Sequence, residues 1–166
     1  MSVDLGSMLD ESRIIDLKSE TKEEALNELI EVISTSPLIT DKEEFARAIF
    51  ERERIISTGV GIGVAVPHVK IPAVKDFVAA VGRSFKGIDF QALDDKPVHI
   101  IVMIGASDKQ AGEFLKVLAS VVLRLKDKEF RRAVMLARSA KEIKELFSAP
   151  LEGLPIRDGQ STTESE

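Results

Sequence analysis

The chain contains no cysteine among its 166 residues, which excludes disulfides, thiol catalysis and cysteine-based metal sites. It has no apolar run approaching the roughly 20 residues that a membrane-spanning helix needs. The N-terminal MSVDLGSMLDESR lacks the basic segment and apolar stretch of a signal peptide, so a cytoplasmic protein with no direct membrane insertion is expected. No basic run stands out and the formal net charge is −5, which argues against nucleic acid as the main partner. Histidine is scarce. Only His68 and His99 occur, a weak basis for a zinc site unless carboxylates complete it, and no metal is expected.

What is present is an ordinary soluble composition, 44% hydrophobic and 31% charged, in a length that suits one domain with a sizeable core. Ile14, Ile15 and Leu17 read as a first strand. Thr21-Lys-Glu-Glu24 reads as a capping box, followed by Ala25, Leu26, Leu29, Ile30 and Ile33 at helical spacing. Asp41-Lys-Glu-Glu44 starts a second helix, with Phe45, Ala46, Ile49 and Phe50 as its buried stripe and Glu51-Arg-Glu-Arg54 at its end. Phe77 to Val81 is strand-like, Lys86-Gly87 and Asp94-Asp95-Lys96-Pro97 mark an irregular crossing, and Val98 to Ile104 fits a buried strand. Ser107 with Gln110 is a candidate cap for a third helix striped by Phe114, Leu115, Leu118, Val121, Val122 and Leu125. Helices at about 128–136 and from a Ser139 cap to Phe147 follow. Strands and helices intermix without a strict βαβ repeat. The expectation is therefore an α/β (α+β) single domain over residues 1–148, a mixed β-sheet of about five strands flanked by helices on both faces, with a polar, disordered tail over 149–166.

The most unusual stretch is STGVGIGVAVPHVK, residues 57–70. Gly59, Gly61, Gly63 and Ala65 alternate with Val60, Ile62, Val64 and Val66. Read as one extended strand, this gives one bare face and one β-branched face. Pro67 lacks an N–H and ends ordinary ladder pairing, delivering His68 at the strand's end beside bare backbone that suits a small anion. The spacing matches neither the dinucleotide fingerprint nor the phosphate-loop motif, and no nucleophile elbow is present. A neutral imidazole can itself attack a phosphoryl group, given positioning and cationic or N–H donors for the oxygens. Arg52, Arg54, Ser57, Thr58 and Gly61 lie within reach in sequence. The plainer alternative is a histidine closing a strand and satisfied by a backbone carbonyl. His99, inside Pro97-Val-His-Ile-Ile-Val-Met103, reads as a polar position on a buried strand.

The whole segment resembles the fructose/mannitol-type enzyme IIA domains of the sugar phosphotransferase system, a family that includes a nitrogen-regulatory branch. The residues carrying the likeness are Arg52-Glu53, Ser57-Thr58-Gly59, Val60-Gly61 and Val64-Ala65-Val66-Pro67-His68. Weaker matches extend it over about residues 5 to 147. The resemblance implies that His68 accepts a phosphoryl group from the phosphocarrier HPr and passes it to a IIB domain, with Arg52 as the nearby cation and no cofactor. Arg54, Ser57, Thr58 and Gly61 are the further candidates for holding the phosphoryl group. A regulatory binding protein, whose phosphorylation state or mere binding signals to partners, is the alternative. Three positions depart from the pattern: Val69 follows the histidine, the asparagine often found near Ile62 is missing, and Phe114 stands where the family usually carries a second histidine.

Overall fold

Thr21 and Asp41 begin two helices by the same device. Each side chain accepts a hydrogen bond from an amide three residues on, Glu24 N at 3.2 Å and Glu44 N at 3.0 Å, satisfying donors that a helix start leaves open. The computed structural model, which describes residues 4–150, has α1 at Lys22–Ile33 and α2 at Lys42–Ile55. A short 3₁₀ turn, Leu5–Met8, leads into strand β1 at Leu9–Asp16, which begins five residues before the apolar run at Ile14. The remaining strands are β2 Gly59–Gly61, β3 Val64–Ala65, β4 His68–Lys70, β5 Val78–Ile88 and β6 Val98–Ala106. Three helices close the chain: α3 Ala111–Lys126, α4 Lys128–Leu136 and α5 Ala140–Ser148, the last capped by Ser139 accepting from Glu142 N.

The strands form one mixed sheet of six, in the order β1-β5-β6-β3-β2, with β4 also paired to β6. The central pair β5–β6 is antiparallel and β1–β5 is parallel. Alternation along the strands divides the core. Ala65, Val69, Ala80, Ile101 and Met103 face α1 and α2, whereas Val64, Val66, Val81, Val102 and Ile104 face α3, α4 and α5. β5 continues through Lys86-Gly87 to Ile88, its register with β6 shifting between Arg83 and Ile88. The irregular crossing thus begins later than the punctuation suggests, because Gly87 at a φ of +93° is absorbed within the strand.

Two local expectations need correction. Leu115 is exposed, and the buried face of α3 is instead Phe114, Val117, Val121 and Leu125 with Ser120 and Arg124. The third helix is not capped by a side chain; Ser107 N donates to Gln110 Oε1 at 2.9 Å ahead of it. Of the expected tail, Ala149 and Pro150 are described, and Ala149 O accepts from Arg124 Nη2 at 2.6 Å. Residues 151–166 lie outside the described residues.

Candidate functional site

The glycine stretch is not one strand. Gly61, Ile62 and Gly63 have φ of +89°, +53° and +83°, so the chain reverses there and β2 pairs antiparallel with β3. Two successive positive-φ residues at Ile62-Gly63 are what a tight hairpin with the sheet's own twist requires. The glycines at 61 and 63 therefore serve the turn rather than a bare face. Asp94, in the crossing between β5 and β6, holds the corner by accepting from Ile62 N at 3.2 Å.

After the hairpin the chain runs beside β6 in parallel. β3 pairs Val64 with Ile100, and β4 pairs His68 with Ile104, in the same offset. Between them Pro67 has no amide to give, although its carbonyl still accepts from Ile104 N at 2.9 Å. His68 thus opens a short strand rather than closing a long one: the proline interrupts the ladder without ending it. Residues 64, 66 and 68 share a face by alternation, the face covered by α3. At the start of that helix lies Phe114, its ring 5.7 Å from the His68 ring and tilted by 55°.

The gap in the ladder sets the tautomer of His68. Val66 donates its N–H to Thr58 O at 3.0 Å, and its carbonyl lies 2.6 Å from His68 Nδ1. A carbonyl can only accept, so Nδ1 carries the proton and the lone pair is on Nε2. His68 is half-buried. Its pKa is pushed below the ordinary imidazole range, chiefly because burial disfavours the charged ring. The Val66 carbonyl opposes that shift, the Arg52 charge adds to it, and Glu53 opposes it. The outcome is a neutral imidazole with one fixed nucleophilic nitrogen near a guanidinium.

The other sequence candidates divide. Arg52 reaches the site electrostatically and donates through Nη1 to Ile56 O at 2.8 Å. Arg54 is exposed and lines a broad groove of about 770 Å³ with Lys22, Phe50, Glu53 and Asp89, which His68 does not line. Ser57 donates to Phe90 O at 3.1 Å and accepts from Gly59 N at 3.0 Å. Thr58 gives both its hydroxyl and its amide to Glu53, at 2.8 and 2.7 Å. Gly61 sits at the hairpin corner, where an added Cβ would lie 3.4 Å from an Asp94 carboxylate oxygen. The sequence reading missed the work of Glu53 and Lys22, whose side chains pair at 3.0 Å. The only signal for it is an acid in the last turn of α2, where the helix dipole disfavours one. His99 lies apart, its Nδ1 donating to Ser84 O at 2.8 Å. Among the described residues no three His, Asp or Glu side chains converge in a way that could hold a metal ion.

This architecture has known counterparts. The family model described as the phosphoenolpyruvate-dependent sugar phosphotransferase system, EIIA 2, matches residues 7–149. The chain belongs to this family of phosphotransferases. It is 31% identical over 134 residues to the fructose-specific EIIABC component of Bacillus subtilis, covering 81% of this chain but only 21% of that longer protein. It is 31% identical over 132 residues to the fructose-specific EIIA component of Haloferax volcanii, covering 80% of this chain and 86% of that one. The crystal structure of the nitrogen regulatory protein IIA-Ntr of Neisseria meningitidis superposes with a TM-score of 0.81 at 28% identity, covering 86% of this chain and 98% of that one.

Proposed function

We propose that this chain is a phosphocarrier that takes a phosphoryl group from HPr onto Nε2 of His68 and passes it to a IIB domain. The observation carrying this reading is the 2.6 Å contact between His68 Nδ1 and the Val66 carbonyl, which leaves Nε2 bare. In the transfer the N–P bond of the donor phosphohistidine breaks as the Nε2–P bond forms, and the proton stays on Nδ1, hydrogen-bonded to Val66 O. Passing through a loose, in-line transition state, the group needs positioning and charge rather than proton transfer. Arg52 supplies the charge. Phe114 covers one side of the ring and helps keep it neutral. Arg54 contributes to the wider field rather than to a direct contact, and Ser57, Thr58 and Gly61 hold the backbone that seats the ring.

A second reading is favoured by the likeness to the nitrogen regulatory protein: the phosphohistidine is then a signal read by a regulatory partner. Enzyme I, HPr and phosphoenolpyruvate test the first step. One acid-labile, base-stable label per chain is expected, absent in His68→Ala; a label surviving that change overturns the reading. Adding fructose- and mannitol-type IIB domains separates the two outcomes. A relay protein is discharged by a IIB domain, and a signalling protein keeps its label.

A further inference from the structure

Glu53 is a buried acid that the transfer itself does not use. It is 7% exposed and stands in the last turn of α2, so both burial and the helix dipole act against its charge. Its partners compensate. Lys22 Nζ lies 3.0 Å from Oε2, and that ammonium also sits 4.7 Å over the Phe90 ring. Thr58 N donates to Oε2 at 2.7 Å and the Thr58 hydroxyl to Oε1 at 2.8 Å. Both carboxylate oxygens are therefore directed onto one residue, Thr58.

Thr58 lies one step from the seat of the imidazole. Its carbonyl accepts from Val66 N at 3.0 Å, and the Val66 carbonyl accepts from His68 Nδ1 at 2.6 Å. We propose that Glu53, clamped by Lys22, is a positioning residue that fixes the orientation and tautomer of the His68 ring through Thr58 and Val66. An uncharged, non-accepting residue at 53 would end α2 at lower electrostatic cost but would leave Thr58 unheld. The inference deepens the reading of His68 as the phosphoryl acceptor and rests on it for its kinetic consequence, though not for its structural one.

The test is made on the full chain labelled with ¹⁵N in its imidazoles, with long-range ¹H–¹⁵N spectra reporting which ring nitrogen carries the proton. In the unaltered protein both histidines show Nδ1–H, and His99, fixed by Ser84, is the internal reference. Glu53→Gln and Thr58→Val are expected to move His68, and not His99, toward the tautomer mixture of a free histidine. Thr58→Ser, which keeps the hydroxyl, retains the original state. Phosphorylation from HPr then slows by about 10- to 100-fold in the first two variants, the scale expected for a misplaced reacting group. Unchanged His68 spectra in folded Glu53→Gln and Thr58→Val overturn the proposal, as does an equal change in both histidines or in Thr58→Ser. If Glu53→Gln does not fold, Thr58→Val decides alone. The spectra need no phosphoryl donor, so failure of phosphotransfer in the unaltered protein refutes the functional reading while leaving this test intact.

Discussion

His68 and His99 hold their rings in the same way. Each is half-buried, and each donates Nδ1–H to a backbone carbonyl, Val66 at 2.6 Å and Ser84 at 2.8 Å. A fixed tautomer with a bare Nε2 is therefore no mark, by itself, of a reactive histidine. What differs is what meets the ring. His99 lies against the backbone of β5, so close that a Cβ added to Gly87 would stand 3.3 Å from Nε2. His68 sits at a proline gap in a sheet edge, with Arg52 close enough to act on its charge and Phe114 on one side. Fixing a tautomer takes one carbonyl, whereas building a nucleophile also takes space and a cation at the other nitrogen.

Removing each ring in turn gives the largest expected effect. His68→Ala loses the phosphoryl label entirely and His99→Ala keeps it, as read on a gel after incubation with the donor system. Equal labelling of both variants would erase the distinction. Next comes the cation. Arg52→Ala is expected to slow phosphorylation by about 10- to 100-fold while leaving the fold intact, the usual consequence of deleting a donor to developing negative charge. A wild-type rate in that variant would reduce Arg52 to a surface charge that donates to Ile56 O.

Phe114 sharpens the contrast from the other side. The residue is 8% exposed, and its ring offers no hydrogen bond to an imidazole or a phosphoryl oxygen. Phe114→His is expected to raise the transfer rate or the phosphohistidine lifetime by about threefold to tenfold, the scale of one added hydrogen bond. Rate and lifetime both unchanged in the folded variant would mean that the site works without a second imidazole. The same dry surroundings set the pH behaviour. Because the pKa of folded His68 is depressed, the unfolded chain takes up this proton first as pH falls. Folding stability is thus lost as pH drops through the ordinary histidine value of 6.5 and on toward the lower value of the folded ring. An NMR titration of His68 should find its midpoint below that ordinary value, and a midpoint above it would contradict the burial argument.

The helices were legible because their signals are local. Thr21, Asp41 and Ser139 each cap the helix that their spacing announces. His68 stands out as a candidate in the sequence through the signature that ends in Val64-Ala65-Val66-Pro67-His68. The hairpin was not, because alternation of glycine with β-branched residues reads the same in a straight strand and in two strands joined by a turn. The run of positive φ at Gly61, Ile62 and Gly63 separates them, and the isoleucine in its middle gives no hint of it. The link from Glu53 to the imidazole was hidden for another reason. It runs through backbone groups of Thr58 and Val66, which carry no sequence signature.

The smallest expected effect lies at that turn, which joins the surroundings of the two histidines. Gly63 O accepts from His99 N at 2.8 Å and from Ile100 N at 3.2 Å, and the same hairpin delivers Val66 to His68. Ile62 sustains a φ of +53° there, in a region that β-branched residues enter only with strain of about 1 kcal/mol or more. Asparagine tolerates that conformation and suits the first position of such a turn. Against this, Ile62 is 47% exposed and its buried part lines a small cavity together with Val122 and Leu125, so some apolar burial is lost on substitution. The two terms are similar in size, with relief of strain the larger, because half of the isoleucine is already in water. Ile62→Asn should therefore raise Tm by about 1–3 °C, within the range that a fraction of a kcal/mol produces in a chain of this length. The Nδ1–H tautomers of both histidines should stay as they are, since neither accepting carbonyl belongs to the turn. A fall in Tm would mean that the side chain of Ile62 matters more for packing against α3 than its backbone costs in strain.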